Sequence, residues 1–209
     1  MAAKLPGITD KSAYAVYLMA GMAAWALFTE ITSRCLSVFI EYGGTMKKIA
    51  FPRLCLPLIV GGSALLNHLL LLLATLAVFL FLGKQPSYCW LYLPVGIVII
   101  SIFAFGLGVL LGLLNVFVRD IGQVFTVVIQ LWFWVTPVVY APGMLSAETQ
   151  RIISANPLTP LVAIYQNVLL YGKEPEWQSL IIPSAVGLVL LMISFIVFRR
   201  ASAEILDAL

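Results

Sequence analysis

Residues 54–83 read LCLPLIVGGSALLNHLLLLLATLAVFLFLG, thirty positions without a Lys, Arg, Asp or Glu. The apolar residues do not alternate with polar ones, so a barrel strand of about ten residues is ruled out. A helix rises about 1.5 Å per residue, and roughly 20 apolar residues cross a hydrocarbon core of about 30 Å. The stretch therefore reads as a membrane-spanning helix at about 54–82, with Pro57, Gly61 and Gly62 loosening its start. Four more stretches have the same character, at about 13–33, 88–118, 121–142 and 177–198. Aromatic residues crowd the ends of these stretches (Tyr88, Trp90, Tyr92, Tyr140, Trp177), as expected at the headgroup level.

Composition agrees. Of 209 residues, 62% are hydrophobic and 10% are charged, against about 25% charged in soluble proteins. A soluble domain of this size cannot hide so much apolar surface, and a disordered chain would not carry it. Nucleic acid is not an expected partner, because the net charge of +3 is spread over ends and loops. The fold class expected is all-α: one polytopic helical membrane domain over 1–209, with five transmembrane helices. Cys35, Cys55 and Cys89 show neither a disulfide framework nor metal-ligand spacing.

Five spans put the termini on opposite sides. With the C-terminus cytoplasmic, Arg34, Lys47, Lys48, Arg53, Arg119, Arg199 and Arg200 lie inside, clustered against span ends. Lys4, Lys11, Lys84, Arg151 and Lys173 then lie outside. The clustering favours this orientation.

Two connecting segments stand apart. In 146–172, Ser146 can cap a short helix over 147–155, and Asn156-Pro157 breaks it. Thr159-Pro160 reads as the cap and first turn of a second helix, 160–171, stopped by Gly172. Twelve residues reach about 18 Å, too short to cross, so both helices are expected to dip into the outer leaflet beside a cavity. In 41–53, Gly43-Gly44 ends a helix, Thr45 can cap a short one, and Pro52 ends it. Met46, Ile49 and Ala50 share one face while Lys47 and Lys48 point elsewhere. The loop is either a basic stop on anionic lipid or a docking helix for a cytoplasmic partner.

Residues for bond-making chemistry are not visible. Glu30 is read at the inner end of the first span, so no span carries an acid at its centre. His68, beside Asn67, is either a functional group or a neutral histidine paired with Asn67 or a neighbouring helix. A GxxxxGK[ST] phosphate loop does not occur. No catalytic, cofactor-binding or metal-binding residue is assigned. Gly106, Gly108 and Gly112 read as close-packing positions. In the fourth span, Gln123, Thr126, Gln130, Trp134 and Pro137 recur at steps of three or four and share a face. That stripe suits either water and a polar ligand or helix–helix packing. Trp132, Phe133, Trp134 and Tyr140 suit either sugar rings or the membrane interface.

Four stretches, in order and spacing, resemble the membrane subunit of type 2 ABC exporters, specifically the polysaccharide and polyol-phosphate export permeases. They are Met46–Arg53 followed by Leu56-Pro57, Asn115–Asp120, Trp132–Tyr140, and Asn156–Pro160 with Tyr165 and Tyr171-Gly172. The resemblance implies a homodimer working with two ATP-binding-cassette subunits, which hold ATP and Mg. The substrate it implies is a lipid-linked glycan such as O antigen, capsule or a teichoic acid precursor, moved across the bacterial inner membrane. It implies a coupling helix at Thr45, Met46, Lys47, Lys48, Ile49, Phe51 and Pro52. Gln123, Thr126, Gln130, Trp134 and Tyr140 would line the channel, and Asn156, Pro157, Pro160 and Tyr165 would form an outer gate. Family members usually carry a basic amphipathic helix and one more span ahead of the first span here, so five of six spans are expected in this sequence. A drug or small-molecule efflux permease, or a membrane protein without a transport role, are the alternatives.

Overall fold

The computed structural model describes residues 11–44, 54–83 and 85–201, and the regular elements among these are helical. The helices are α1 (Lys11–Glu41), α2 (Cys55–Phe81), α3 (Leu93–Phe117), α4 (Asp120–Val135), α5 (Ala147–Ser154), α6 (Leu158–Gln166) and α7 (Trp177–Ala201). A 3-10 turn, Tyr88–Tyr92, leads into α3, and α6 runs on as a π-helical turn, Asn167–Tyr171. Among the described residues, four helices are long and apolar enough to cross a membrane: Ala13–Glu41, Cys55–Phe81, Tyr88–Phe117 and Trp177–Arg200. The loop that holds the expected coupling residues, from Thr45 to Pro52, lies outside the described residues.

α3 is the central post, with α1 on one side and α7 on the other. Small residues permit this. A Cβ on Gly108 would sit 2.8 Å from the Cys35 Cβ, and one on Gly112 would strike the Cys35 carbonyl oxygen. On the other side a Cβ on Gly106 would sit 2.6 Å from the Leu191 nitrogen. In lipid, helices associate through such close contact and not through a hydrophobic drive. Thr32 meets Ala104 and Leu36 meets Asn115, while Phe103 lies beside Gly187 and Gly106 beside Leu191, so α1, α3 and α7 run parallel.

Three boundaries differ from expectation. α1 continues to Glu41 and does not stop near 33. No glycine or proline occurs between Gly21 and Gly43, and the polar residues are held within the helix. Arg34 Nη2 pairs with Glu30 at 2.7 Å, four residues apart. Glu30 is therefore well inside a membrane-length helix and not at its inner end. The fourth stretch is helical only to Val135, not to 142. Thr136 is extended, with φ −95° and ψ 133°, because the residue before a proline is pushed out of the helical region. Sixteen residues reach about 24 Å, short of the core thickness. Third, the helix expected over 160–171 begins at Leu158. Thr159 does not cap it, since its hydroxyl donates to the Ile153 carbonyl at 2.7 Å. Asn156 takes that role by accepting from the Leu158 N–H at 3.0 Å.

Two boundaries fall where expected. Ser146 caps α5, accepting from the Thr149 N–H. Gly172 ends the π turn in the left-handed region, φ 58°, which favours glycine. Pro57 sits in the first turn of α2, where its missing N–H costs nothing.

Candidate functional site

The break at Thr136-Pro137 leaves carbonyls without helical partners, and such groups need donors when buried. Two elements supply them. The Tyr17 hydroxyl of α1 lies 2.8 Å from the Tyr140 carbonyl and 3.2 Å from that of Pro137. Gln166 Nε2 of α6 donates to the Pro137 carbonyl at 3.0 Å.

Asn156 fastens the same break from another side. Its Oδ1 accepts from Trp132 Nε1 at 3.0 Å as well as from the Leu158 N–H. Its Nδ2 donates to Thr136 Oγ1 at 2.9 Å. Thus the Trp132–Tyr140 and Asn156–Pro160 stretches, separate in sequence, meet in one buried polar cluster. A cavity of about 440 Å³ opens beside it, bordered by Tyr17, Pro137, Asn156, Pro157, Pro160 and Tyr171.

Tyr165 is not at this cavity. It is fully buried, with its hydroxyl 2.9 Å from His68 Nε2 of α2. The reading of His68 as paired with a neighbouring segment is the one realised. Asn67 instead donates to Glu30 Oε1 at 2.8 Å. Among the described residues, buried His68 Nδ1 has no hydrogen-bond partner.

α4 meets the bundle along one edge. Phe125 is buried there and Trp132 is half-buried, whereas Val124 and Val128, which with them border an apolar recess shared with Leu107 and Leu111 of α3, are exposed. Gln123, Thr126, Gln130 and Trp134 lie on the opposite side and are exposed, with Val127 among them. The Thr126 hydroxyl bonds back to the Gly122 carbonyl at 2.9 Å; Gln123 and Gln130 make no side-chain hydrogen bond among the described residues. Near the break, Phe133 meets Trp25 edge-on at 5.4 Å and Trp132 meets Phe28 at 5.7 Å. These two rings anchor α4 to α1, whereas Trp134 is 66% exposed. Tyr140 is half-buried and donates to the Trp134 carbonyl at 3.0 Å.

The base of α4 is set by Asn115. It donates to the Leu36 carbonyl at 3.3 Å and accepts from the Gly122 N–H at 2.9 Å. The Asn115–Asp120 stretch is thus a turn that fixes where α4 leaves the bundle. Tyr17, Gln166 and Asn67 were not visible as site residues. For the first two, the available signal was Pro137, whose helix break obliges some donor to appear.

Residues 2–170 match the family model described as ABC-2 type transporter. The O-antigen export system permease protein RfbA of Klebsiella pneumoniae is 30% identical over 203 residues, covering 92% of this chain and 76% of that protein. The protein of the same name in Myxococcus xanthus is 26% identical over 195 residues, covering 92% and 75%. The family model covers most of the length, and the chain belongs to the ABC-2 type transporter family.

Proposed function

We propose that this chain is the transmembrane subunit of an ATP-driven exporter that carries lipid-linked polysaccharide, O antigen or a related glycan, across the bacterial inner membrane. Two copies work with two ATP-binding-cassette subunits, which hold ATP and Mg and hydrolyse the nucleotide. The observation that carries this reading is the polar and aromatic face of α4, turned away from the rest of its own chain. Hydrocarbon cannot satisfy Gln123 and Gln130. A water-filled path between two copies can, and Trp134 and Tyr140 offer rings on which sugar C–H groups stack. The relatives named for O-antigen export support the choice of substrate.

The chain crosses five times. α4 ends near Tyr17, and Gln166 lies where a Gly21 Cβ would point, 2.8 Å away. Gly21 is ten residues into α1, about 15 Å from its start. α5 and α6 therefore close the outer half of the path as a gate. Asn156 pins that gate, Pro157 and Pro160 shape it, and Tyr165 ties it to α2. Arg119, Arg199 and Arg200 mark the cytoplasmic side, with the C-terminus there. Thr45, Met46, Lys47, Lys48, Ile49, Phe51 and Pro52 transmit the closing of the ATPase subunits.

The test uses cells lacking their own O-antigen permease, supplied with this chain and its ATPase partner. Restored surface glycan with unchanged drug tolerance is expected. Altered drug tolerance without surface glycan would instead assign small-molecule efflux. In the same cells, Lys47→Glu plus Lys48→Glu is expected to abolish export while the chain still inserts. Unimpaired export with normal complex assembly would remove the coupling role.

A further inference from the structure

The cavity beside Asn156 is bordered by Tyr17 of α1 and Pro183 of α7. Each lies six residues into its helix, about 9 Å along it. The cavity therefore sits at the end of the bundle that the export reading places outside. Exposed Ser154, Tyr171 and Glu176 among its walls show that it opens to the surface. Its volume of about 440 Å³ falls in the range of small-molecule sites, about 300–1,000 Å³.

Three polar groups of this wall are left over by the fold. Pro183 has no N–H, so the carbonyl of Ser179, four residues earlier, loses its α-helical donor. The side chains of Asn167 and Glu176 make no hydrogen bond or ion pair among the described residues. The turn after α6 brings these two to one wall. The N–H groups of Gly172 and Lys173 both donate to the Asn167 carbonyl, and Gly172 reverses the chain in the left-handed region, φ 58°. Residues 172–176 thus fold back past the end of α6, and Asn167, Tyr171, Glu176 and Ser179 border the same space. Asn167–Tyr171 is the π-helical turn, a local widening that recurs at functional sites.

The charge of the wall selects the ligand. No Lys or Arg borders the cavity among the described residues, and Glu176 is its one charged side chain. Nothing there holds a phosphate or a pyrophosphate. An amide, a carboxylate and a freed carbonyl beside a tyrosine ring suit a neutral ring that carries hydroxyls, since each hydroxyl both donates and accepts. We propose that this cavity binds a neutral sugar unit of the glycan at the outer mouth. Its hydroxyls donate to Glu176 and to the Ser179 carbonyl and accept from the Asn167 amide, while its C–H face packs on Tyr171. The proposal rests on the export reading above and gives the gate segment a ligand of its own: the saccharide, and not the lipid pyrophosphate.

The test takes the permease assembled with its ATPase partner in nanodiscs, with Cys55 and Cys89 changed to Ser and the buried Cys35 left in place. Ser154→Cys is added at the cavity wall, and its modification by a maleimide is read on the permease band. Oligosaccharide released from the O antigen of the cells used above is expected to slow the labelling, whereas pyrophosphate and ethanolamine at the same concentration are not. Asn167→Ala and Glu176→Ala, whose side chains have no partners to lose, are each expected to weaken this protection about fivefold, the loss of about one hydrogen bond. Melting temperature should stay unchanged and export per inserted molecule should fall. Protection by pyrophosphate or ethanolamine in place of the oligosaccharide overturns the neutral-sugar assignment, and no protection by any of the three overturns the site; both leave the export reading standing where the parent restores surface glycan. Full protection in both variants overturns the assigned contacts, and lost protection with unchanged export overturns the site's place on the glycan path. A parent that restores no surface glycan overturns the export reading instead, and protection, which needs no transport, still decides the cavity.

Discussion

Asn156→Ala tests how the outer helices are held. The side chain is 8% exposed and makes three hydrogen bonds: from Trp132 Nε1, from the Leu158 N–H, and to Thr136 Oγ1. Alanine removes all three and leaves the buried Leu158 N–H without its cap. At about 0.6–1.5 kcal/mol each, from the membrane average to the soluble-protein range, the loss is about 2–4 kcal/mol. For a chain of this size each kcal/mol moves the midpoint by about 2–4 °C. Thermal unfolding of the purified complex in detergent should therefore fall by roughly 4–16 °C. Asn156→Asp keeps both acceptor bonds but puts a carboxylate in a buried site beside the Thr136 oxygen, so its cost should be at least that of alanine. Because Asn156 joins α4 to α5 and α6, export should fall in both variants. A shift under about 1 °C for Asn156→Ala, or an aspartate variant as stable as the parent, would refute this reasoning.

Other consequences follow from single contacts. Gly106→Ala drives a methyl into the Leu191 backbone of α7 and should cost about 1–3 kcal/mol, read as a lower melting temperature; an unchanged value would show that α3 and α7 yield freely. His68→Phe and Tyr165→Phe should each cost about 1–3 kcal/mol by leaving the other's polar group unpaired, and the double variant should cost less than their sum. Additive costs in that cycle would deny the 2.9 Å bond any part in holding α6. Tyr17→Phe strips a donor from the Pro137 and Tyr140 carbonyls and should lower stability by about 1 kcal/mol, while a rise would show that water serves them as well.

Much of the fold was legible because hydrocarbon imposes a simple length rule. α2, α3 and α7 lie where uncharged apolar runs put them, and Ser146 and Gly172 bound the outer helices through local chemistry. The errors came from side chains whose partners are distant in sequence. Glu30 looked like a boundary because its partner Asn67 is 37 positions away, and only their packing lets charge lie within α1. Pro137 was read as one more member of a helical face, although its ring forces Thr136 out of the helix. Asn156 was read as a breaker; its capping of Leu158 and its reach to Trp132 depend on the fold bringing α4 beside it. Thr159 had the right chemistry for a cap and the wrong place. The face of Gln123, Thr126, Gln130 and Trp134 was visible from spacing alone, but whether it packed against a helix was not. The exposure of these four residues, with Phe125 buried on the other side, answers that.

The central claim is that this outward face conducts a glycan. Trp134 is the residue on which conduction and packing part most cleanly, since its ring is 66% exposed while Trp132 bonds to Asn156. The direct measurement is surface glycan export per inserted permease for Trp134→Ala, beside its membrane level and melting temperature. Loss of one stacking ring is worth about 0.5–1.5 kcal/mol, so export should fall about two- to tenfold with level and melting temperature unchanged. Export that declines only as far as the protein level declines would contradict the claim and make this face a packing surface.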